Sequence, residues 1–174
     1  MLRQKAFFVY GTLLDPDILN TVLGRELPEE QYAPAYLDGY CTKLYPGDSF
    51  PALQTKVGGS VRGAVLYHLN DEDLARIDFY EGDEYDFAEI KVRLGDGRLH
   101  SAAYNQPSGE PFSDEDWCLH RWQQQEKPRF LNHCQRYMTL YEKMDVEEAD
   151  IYWRAMVDGD QQNAKQLQAE ELQA

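Results

Sequence analysis

The sequence predicts an α+β fold, a mostly antiparallel barrel or curled sheet that gives way to a C-terminal helical extension. Two observations carry this. Short β-branched and aromatic runs, hairpin turns and two short helices fill roughly the first 105 residues. From Gln106 the character changes, through Pro107, Gly109 and Pro111, to helical stripes. The expected division is a barrel domain over 1–105, a helical extension packed on it over 106–158, and a solvated or frayed polar tail over 159–174.

Phe7-Phe8-Val9-Tyr10 reads as an enclosed strand. It runs into Gly11-Thr12-Leu13-Leu14, where glycine permits a sharp turn. Asp15 and Pro16 then begin a helix, Ile18, Leu19, Val22 and Leu23 form its apolar side, and Gly24 ends it. Residues 25–35 read as a loop and 36–44 as a strand. Phe50-Pro51-Ala52-Leu53 reads as an edge piece or loop, and 56–60, with Gly58-Gly59, as a turn. A strand over 61–69 places Val61, Gly63, Val65, Tyr67 and Leu69 on one face. Asn70 caps a helix that begins Asp71-Glu72-Asp73 and stops at Gly82. Strands over 87–94 and 99–105 flank the hairpin turn Asp96-Gly97. Ser113 and Asp116 have capping-box spacing and predict a helix start. Pro128 begins a second helix with Phe130, Leu131, Cys134, Tyr137, Met138 and Tyr141 on one stripe, and a third covers about 146–156.

The formal net charge of −14 over 174 residues argues against nucleic acid and anionic membranes as partners. No apolar run approaches the roughly 18 residues needed to span a bilayer. Three widely spaced cysteines, Cys41, Cys118 and Cys134, suggest neither a disulfide framework nor a zinc site, and a reducing cytoplasm is the simplest address. The four histidines form no metal-ligand pair, and no phosphate-binding glycine motif is present. No cofactor is expected.

Two stretches carry candidate chemistry. The amides of Gly11, Thr12, Leu13 and Leu14, near a helix start, suit an anion or oxyanion, although an ordinary strand-turn-helix corner has the same sequence. Glu81 stands at the negative end of the second helix among Phe79, Tyr80, Tyr85 and Phe87. Both the dipole and aromatic desolvation push such a carboxyl toward a general acid/base, whereas a solvated helix-end glutamate is the structural alternative.

Together, Phe8-Val9-Tyr10-Gly11-Thr12-Leu13 and Asp78-Phe79-Tyr80-Glu81-Gly82 resemble the γ-glutamylcyclotransferase-like superfamily, in its AIG2-like and γ-glutamylamine cyclotransferase-type branch. Phe50-Pro51-Ala52-Leu53 and Gly59-Ser60-Val61-Arg62-Gly63 fit the same pattern. The resemblance implies a small barrel flanked by helices and a cofactor-free cyclisation of a γ-glutamyl group to 5-oxoproline, with release of an amine or amino acid. It implies Glu81 as the catalytic acid/base and Tyr10, Gly11, Thr12, Leu13 and Tyr85 as substrate-binding residues. Family members often carry Tyr-x-Arg after the acidic residue. Here the run is Tyr85-Asp86-Phe87, so the tyrosine matches and the arginine is absent. The rival expectation is a non-catalytic small-molecule-binding or interaction module. In it the extension's aromatics, Trp117, Trp122, Tyr137, Tyr141 and Trp153, serve as a partner surface rather than packing onto the barrel or a dimer mate.

Overall fold

The computed structural model describes residues 6–82, 85–107 and 113–173; side chains at 85–87, 105–107 and several positions beyond 160 are outside the description. Five strands close into a barrel in the order β1-β3-β2-β4-β5: β1 Phe7–Val9, β2 Tyr32–Leu44, β3 Pro51–Leu66, β4 Tyr85–Leu94 and β5 Leu99–Pro107. All pairings are antiparallel except β1 with β5, which runs parallel, so the barrel is mixed and mostly antiparallel.

β1 is apolar throughout because both its faces are covered. Phe7 and Val9 pack with the helices, while Phe8 and Tyr10 join Leu37, Val65 and Val92 inside the barrel. The same holds at the end of β3, where Ala64, Val65 and Leu66 are all buried, so the expected one-faced alternation does not describe that strand.

α1 (Pro16–Leu23) follows its sequence signals. The Asp15 carboxylate accepts from the amides of Asp17 and Ile18, and Gly24 closes the C-terminal end. α2 (Asp71–Glu81) starts on a reciprocal capping box between Asn70 and Asp73. Arg25 adds a two-pronged pair to the buried Asp73 carboxylate, at 2.9 and 2.6 Å.

Several expectations are corrected. β2 begins at Tyr32, inside the span read as a loop. The 51–53 part of Phe50–Leu53 is the edge rather than the loop: Pro51 opens β3 opposite Leu44, among the described residues 51–53 pair only with β2, and a first residue has no need of an N–H. Residues 56–60 lie inside β3 rather than between strands, yet the chain loops out there: Asp38 faces Ser60 and Tyr40 faces Thr55, so five residues of β3 pass two of β2, with Gly58 at φ 76°. Ser113–Asp116 does not start a helix. The Leu44 amide donates to the Glu115 carbonyl, the Trp117 amide to the Thr42 carbonyl, and Lys43 pairs with Asp116 at 2.5 Å. The segment thus lies along the end of β2, and α3 (Leu119–Gln125) begins later.

α4 (Lys127–Met138) buries Phe130, Cys134, Tyr137 and Met138 as its stripe predicts, and His133 with them. α5 (Val146–Gln173) continues well past the 146–156 expected, with the Asp145 carboxylate accepting from the Glu148 amide at its start. No described helix is long and apolar enough to cross a membrane.

Candidate active site

The glycine turn and the α2 terminus meet. Tyr10, Gly11, Thr12, Leu13 and Glu81 line one cavity of about 90 Å³. Between β1 and α1 the chain makes a 3-10 turn over Thr12–Leu14, in which the Leu14 amide donates to the Gly11 carbonyl. That amide is therefore occupied within the turn, while Gly11, Thr12 and Leu13 line the cavity. Gly11 is required for space: a β-carbon there would stand 2.7 Å from Pro51 Cγ. Pro51 thus presses the turn into place from β3.

Glu81 ends α2, and the next amide, of Gly82, turns back to the Asp78 carbonyl. Two contacts fix this end relative to the turn. The Thr12 and Tyr80 hydroxyls hydrogen-bond at 2.5 Å. From α4, the Tyr137 hydroxyl donates to the Phe79 carbonyl at 2.7 Å, a buried bond. Burial, aided by the nearby Glu81 charge, holds the Tyr10 hydroxyl well above the usual tyrosine range. Tyr80 is raised likewise, by burial first, then by Cys134 and Glu81. Both tyrosines are therefore neutral, and the Tyr80 hydroxyl is taken up by Thr12. Tyr85 opens β4, but its side chain lies outside the described residues.

The remaining wall comes from residues to which the sequence reading gave no site role: Phe50, Phe130, Tyr137, Asp150, Trp153 and Arg154. Phe130 and Tyr137 carried a helical-stripe signal that pointed to packing, and they do pack: Trp153 stands edge-on to both rings, at 5.2 and 5.7 Å between centroids. Arg154 had no signal at all. Its two terminal nitrogens reach the Asp48 carboxylate at 3.0 and 3.1 Å. Burial still holds Asp48 above the ordinary carboxylate range, with Arg154 opposing and Asp150 adding to the rise. Among the described residues no cluster of His, Cys, Asp or Glu has metal-binding geometry.

Comparison with known proteins now bears on the site. The family described as "Gamma-glutamyl cyclotransferase, AIG2-like" matches residues 7–119. The chain belongs to this family. It is 26% identical to AIG2-like protein C of Arabidopsis thaliana, over 96% of this chain and 99% of that protein. A solution structure of another Arabidopsis thaliana protein superposes with a TM-score of 0.57 at 25% identity, covering 83% of this chain and 96% of that one. A structure titled "Gamma-glutamyl cyclotransferase" shares the fold, with a TM-score of 0.50 at 17% identity over 62% of this chain and 68% of the other. The family match includes the turn and Glu81, and it stops short of Phe130, Tyr137, Asp150, Trp153 and Arg154.

Proposed function

We propose that this AIG2-like protein is a γ-glutamyl cyclotransferase that converts a γ-glutamyl amide to 5-oxoproline and a free amine. The observation that carries the reading is the meeting of the Tyr10–Leu13 turn and Glu81 across one small, partly apolar cavity. The turn amides of Gly11, Thr12 and Leu13 hold the glutamyl group and receive the negative charge that grows on its γ-carbonyl oxygen. Glu81 takes a proton from the substrate's α-amine as that nitrogen bonds to the γ-carbon. The γ-carbon–nitrogen bond of the amide then breaks, and Glu81 returns the proton to the leaving nitrogen. One carboxyl suffices because removal and delivery follow in sequence at neighbouring atoms. The attack is intramolecular, so the protein's main task is to fold the substrate into an attack geometry.

The test is 5-oxoproline release from a panel of γ-glutamyl amines and dipeptides. Glu81→Gln, with its circular dichroism unchanged, is expected to lose about 10²–10⁴-fold in turnover. Unchanged turnover in that variant overturns the role of Glu81, and no 5-oxoproline from any conjugate overturns the reaction.

A further inference from the structure

The root of the extension lies along β2 in a definite register. The Leu44 amide donates to the Glu115 carbonyl and the Trp117 amide to the Thr42 carbonyl, and the bridge between them joins Lys43 to Asp116. Two side chains hold the same register. The Thr42 hydroxyl donates to the Trp117 carbonyl at 3.1 Å, and the Trp117 indole N–H to the Ser49 carbonyl at 2.9 Å. Residues 42 and 117, and 44 and 115, are thus the hydrogen-bonded positions of an antiparallel contact. Residues 43 and 116 form the closer, non-hydrogen-bonded pair between them.

The next such pair along this register is Cys41 with Cys118. Side chains alternate along a strand, so Cys41 shares a face with Lys43, and Cys118 shares one with Asp116. The two faces lie on the same side of the contact, because Lys43 Nζ meets the Asp116 carboxylate at 2.5 Å. The backbone at Cys118 is still extended, at φ −136° and ψ 126°, before α3 begins. At a non-hydrogen-bonded antiparallel pair the Cα atoms stand about 4.5 Å apart. Disulfides join Cα atoms roughly 4.4–6.8 Å apart.

All three thiols are free, with Cys118 exposed, Cys41 half-buried and Cys134 buried. The Arg121 amide, then the His120 amide and the Arg121 charge, hold the Cys118 thiol below the usual range against burial. Burial pushes the Cys134 thiol up to about 12, which keeps it protonated and inert. The exposed partner of the facing pair is therefore also the better nucleophile.

We propose that Cys41 and Cys118 form a reversible disulfide that ties the root of the extension to β2. The oxidant is a low-molecular-weight disulfide. The Cys118 thiolate attacks one of its sulfurs, and the other leaves as a thiol. Cys41 gives its proton to solvent and attacks the Cys118 sulfur, so that the Cys41–Cys118 bond forms and the second small thiol leaves. Two protein thiols lose two electrons, and one small disulfide is reduced to two thiols. The crosslink restricts the unfolded chain between barrel and extension and so stabilises the folded state. Neither cysteine lines the cavity beside Glu81, so the bond stands apart from the reaction there.

The experiment treats the whole protein with oxidised glutathione, alkylates the remaining thiols after unfolding and maps the products by mass spectrometry. The expected product is a monomer that has lost two of its three free thiols, with Cys41 linked to Cys118 and Cys134 alkylated. Dithiothreitol is expected to restore the thiols. The linked form is expected to unfold at higher urea than the reduced form. Cys41→Ser is expected to accumulate glutathione on Cys118 and to show no such rise. Oxidation in denaturing urea is expected to lose the preference for this pairing, because only the folded register brings the two thiols together. Glutathione that stays on Cys118 in the unsubstituted protein overturns the proposal, as does linkage to Cys134 or between two chains. A yield unchanged by denaturing urea, or a linked form no more resistant to urea than the reduced one, also overturns it.

Discussion

The barrel and the helical extension hold themselves together by different means. The barrel is a closed ladder, in which β2 with β3 and β4 with β5 are long antiparallel pairs set by alternation and turns. The extension meets that ladder only at a short bridge, where the Leu44 amide donates to the Glu115 carbonyl and the Trp117 amide to the Thr42 carbonyl. It depends on rings packed on rings: Trp122 on Phe130 and Phe130 on Trp153, each at 5.2 Å, and Phe79 on Tyr137 at 4.8 Å. It is tied to the rest by charges, with Lys127 on Asp15 and Asp17 and Arg154 on Asp48. The barrel and its two helices supply the turn and Glu81, whereas the extension supplies Phe130, Tyr137, Asp150, Trp153 and Arg154 to the wall of the same cavity.

The largest expected effect breaks the aromatic side of this comparison. Trp153→Ala removes the ring edge-on to Phe130, His133 and Tyr137 and is expected to cost about 3 kcal/mol in urea unfolding. A loss below about 1 kcal/mol would mean that the extension is held chiefly by its charges.

Next comes the ionic tie. The fully buried Asp15 carboxylate caps α1 and accepts from Gln123 while pairing with Lys127 at 2.9 Å. Burial alone would raise it, but Lys127, Gln123 and the Ile18 amide outweigh burial and hold it below the usual carboxylate range. Asp15→Ala is expected to cost about 2 kcal/mol, from a lost cap and a stranded partner. A double-mutant cycle with Lys127→Met reads the tie itself, and additive effects would show that it couples nothing.

Tyr137→Phe is smaller in stability, about 1 kcal/mol, because it removes one buried hydrogen bond to the Phe79 carbonyl. It sharpens the comparison, since that bond is where the extension grips the helix end bearing Glu81. Turnover is expected to fall more than stability does, and equal KM and kcat with the parent would show that the grip is structural only.

The smallest effect is on pH. Burial lowers the His133 pKa, with Arg129 and Arg136 adding to the fall and Asp160 opposing it. A histidine lowered on folding binds its proton more readily when unfolded. Its contribution is therefore complete above about pH 6.5 and declines as pH falls below that value. Urea midpoints measured from about pH 7.5 to about pH 5.5 should show the decline, and His133→Gln should flatten it.

Local chemistry determined the elements whose signals close within a few residues. Asp15, Pro16 and Gly24 set α1, Asn70 set the start of α2, and Asp96-Gly97 turned β4 into β5. It also marked the turn at Gly11 and the carboxyl at Glu81, because a glycine corner and an acid on an aromatic helix end are readable without neighbours. Only the tertiary structure decided the rest. Pro51 and Gly58-Gly59 look like punctuation between strands, yet a partner strand made Pro51 the start of β3 and kept the looped-out residues at Gly58-Gly59 inside it. Ser113 offered a helix start, but the end of β2 lay close enough to take up the backbone groups around Asp116. Asp48, Trp153 and Arg154 are far apart or featureless in the chain and acquire meaning from the face that α5 turns toward the barrel. A cap or a turn is satisfied by adjacent atoms and so is written in adjacent residues. A cavity wall is satisfied by whatever packs opposite, which no short stretch of sequence contains.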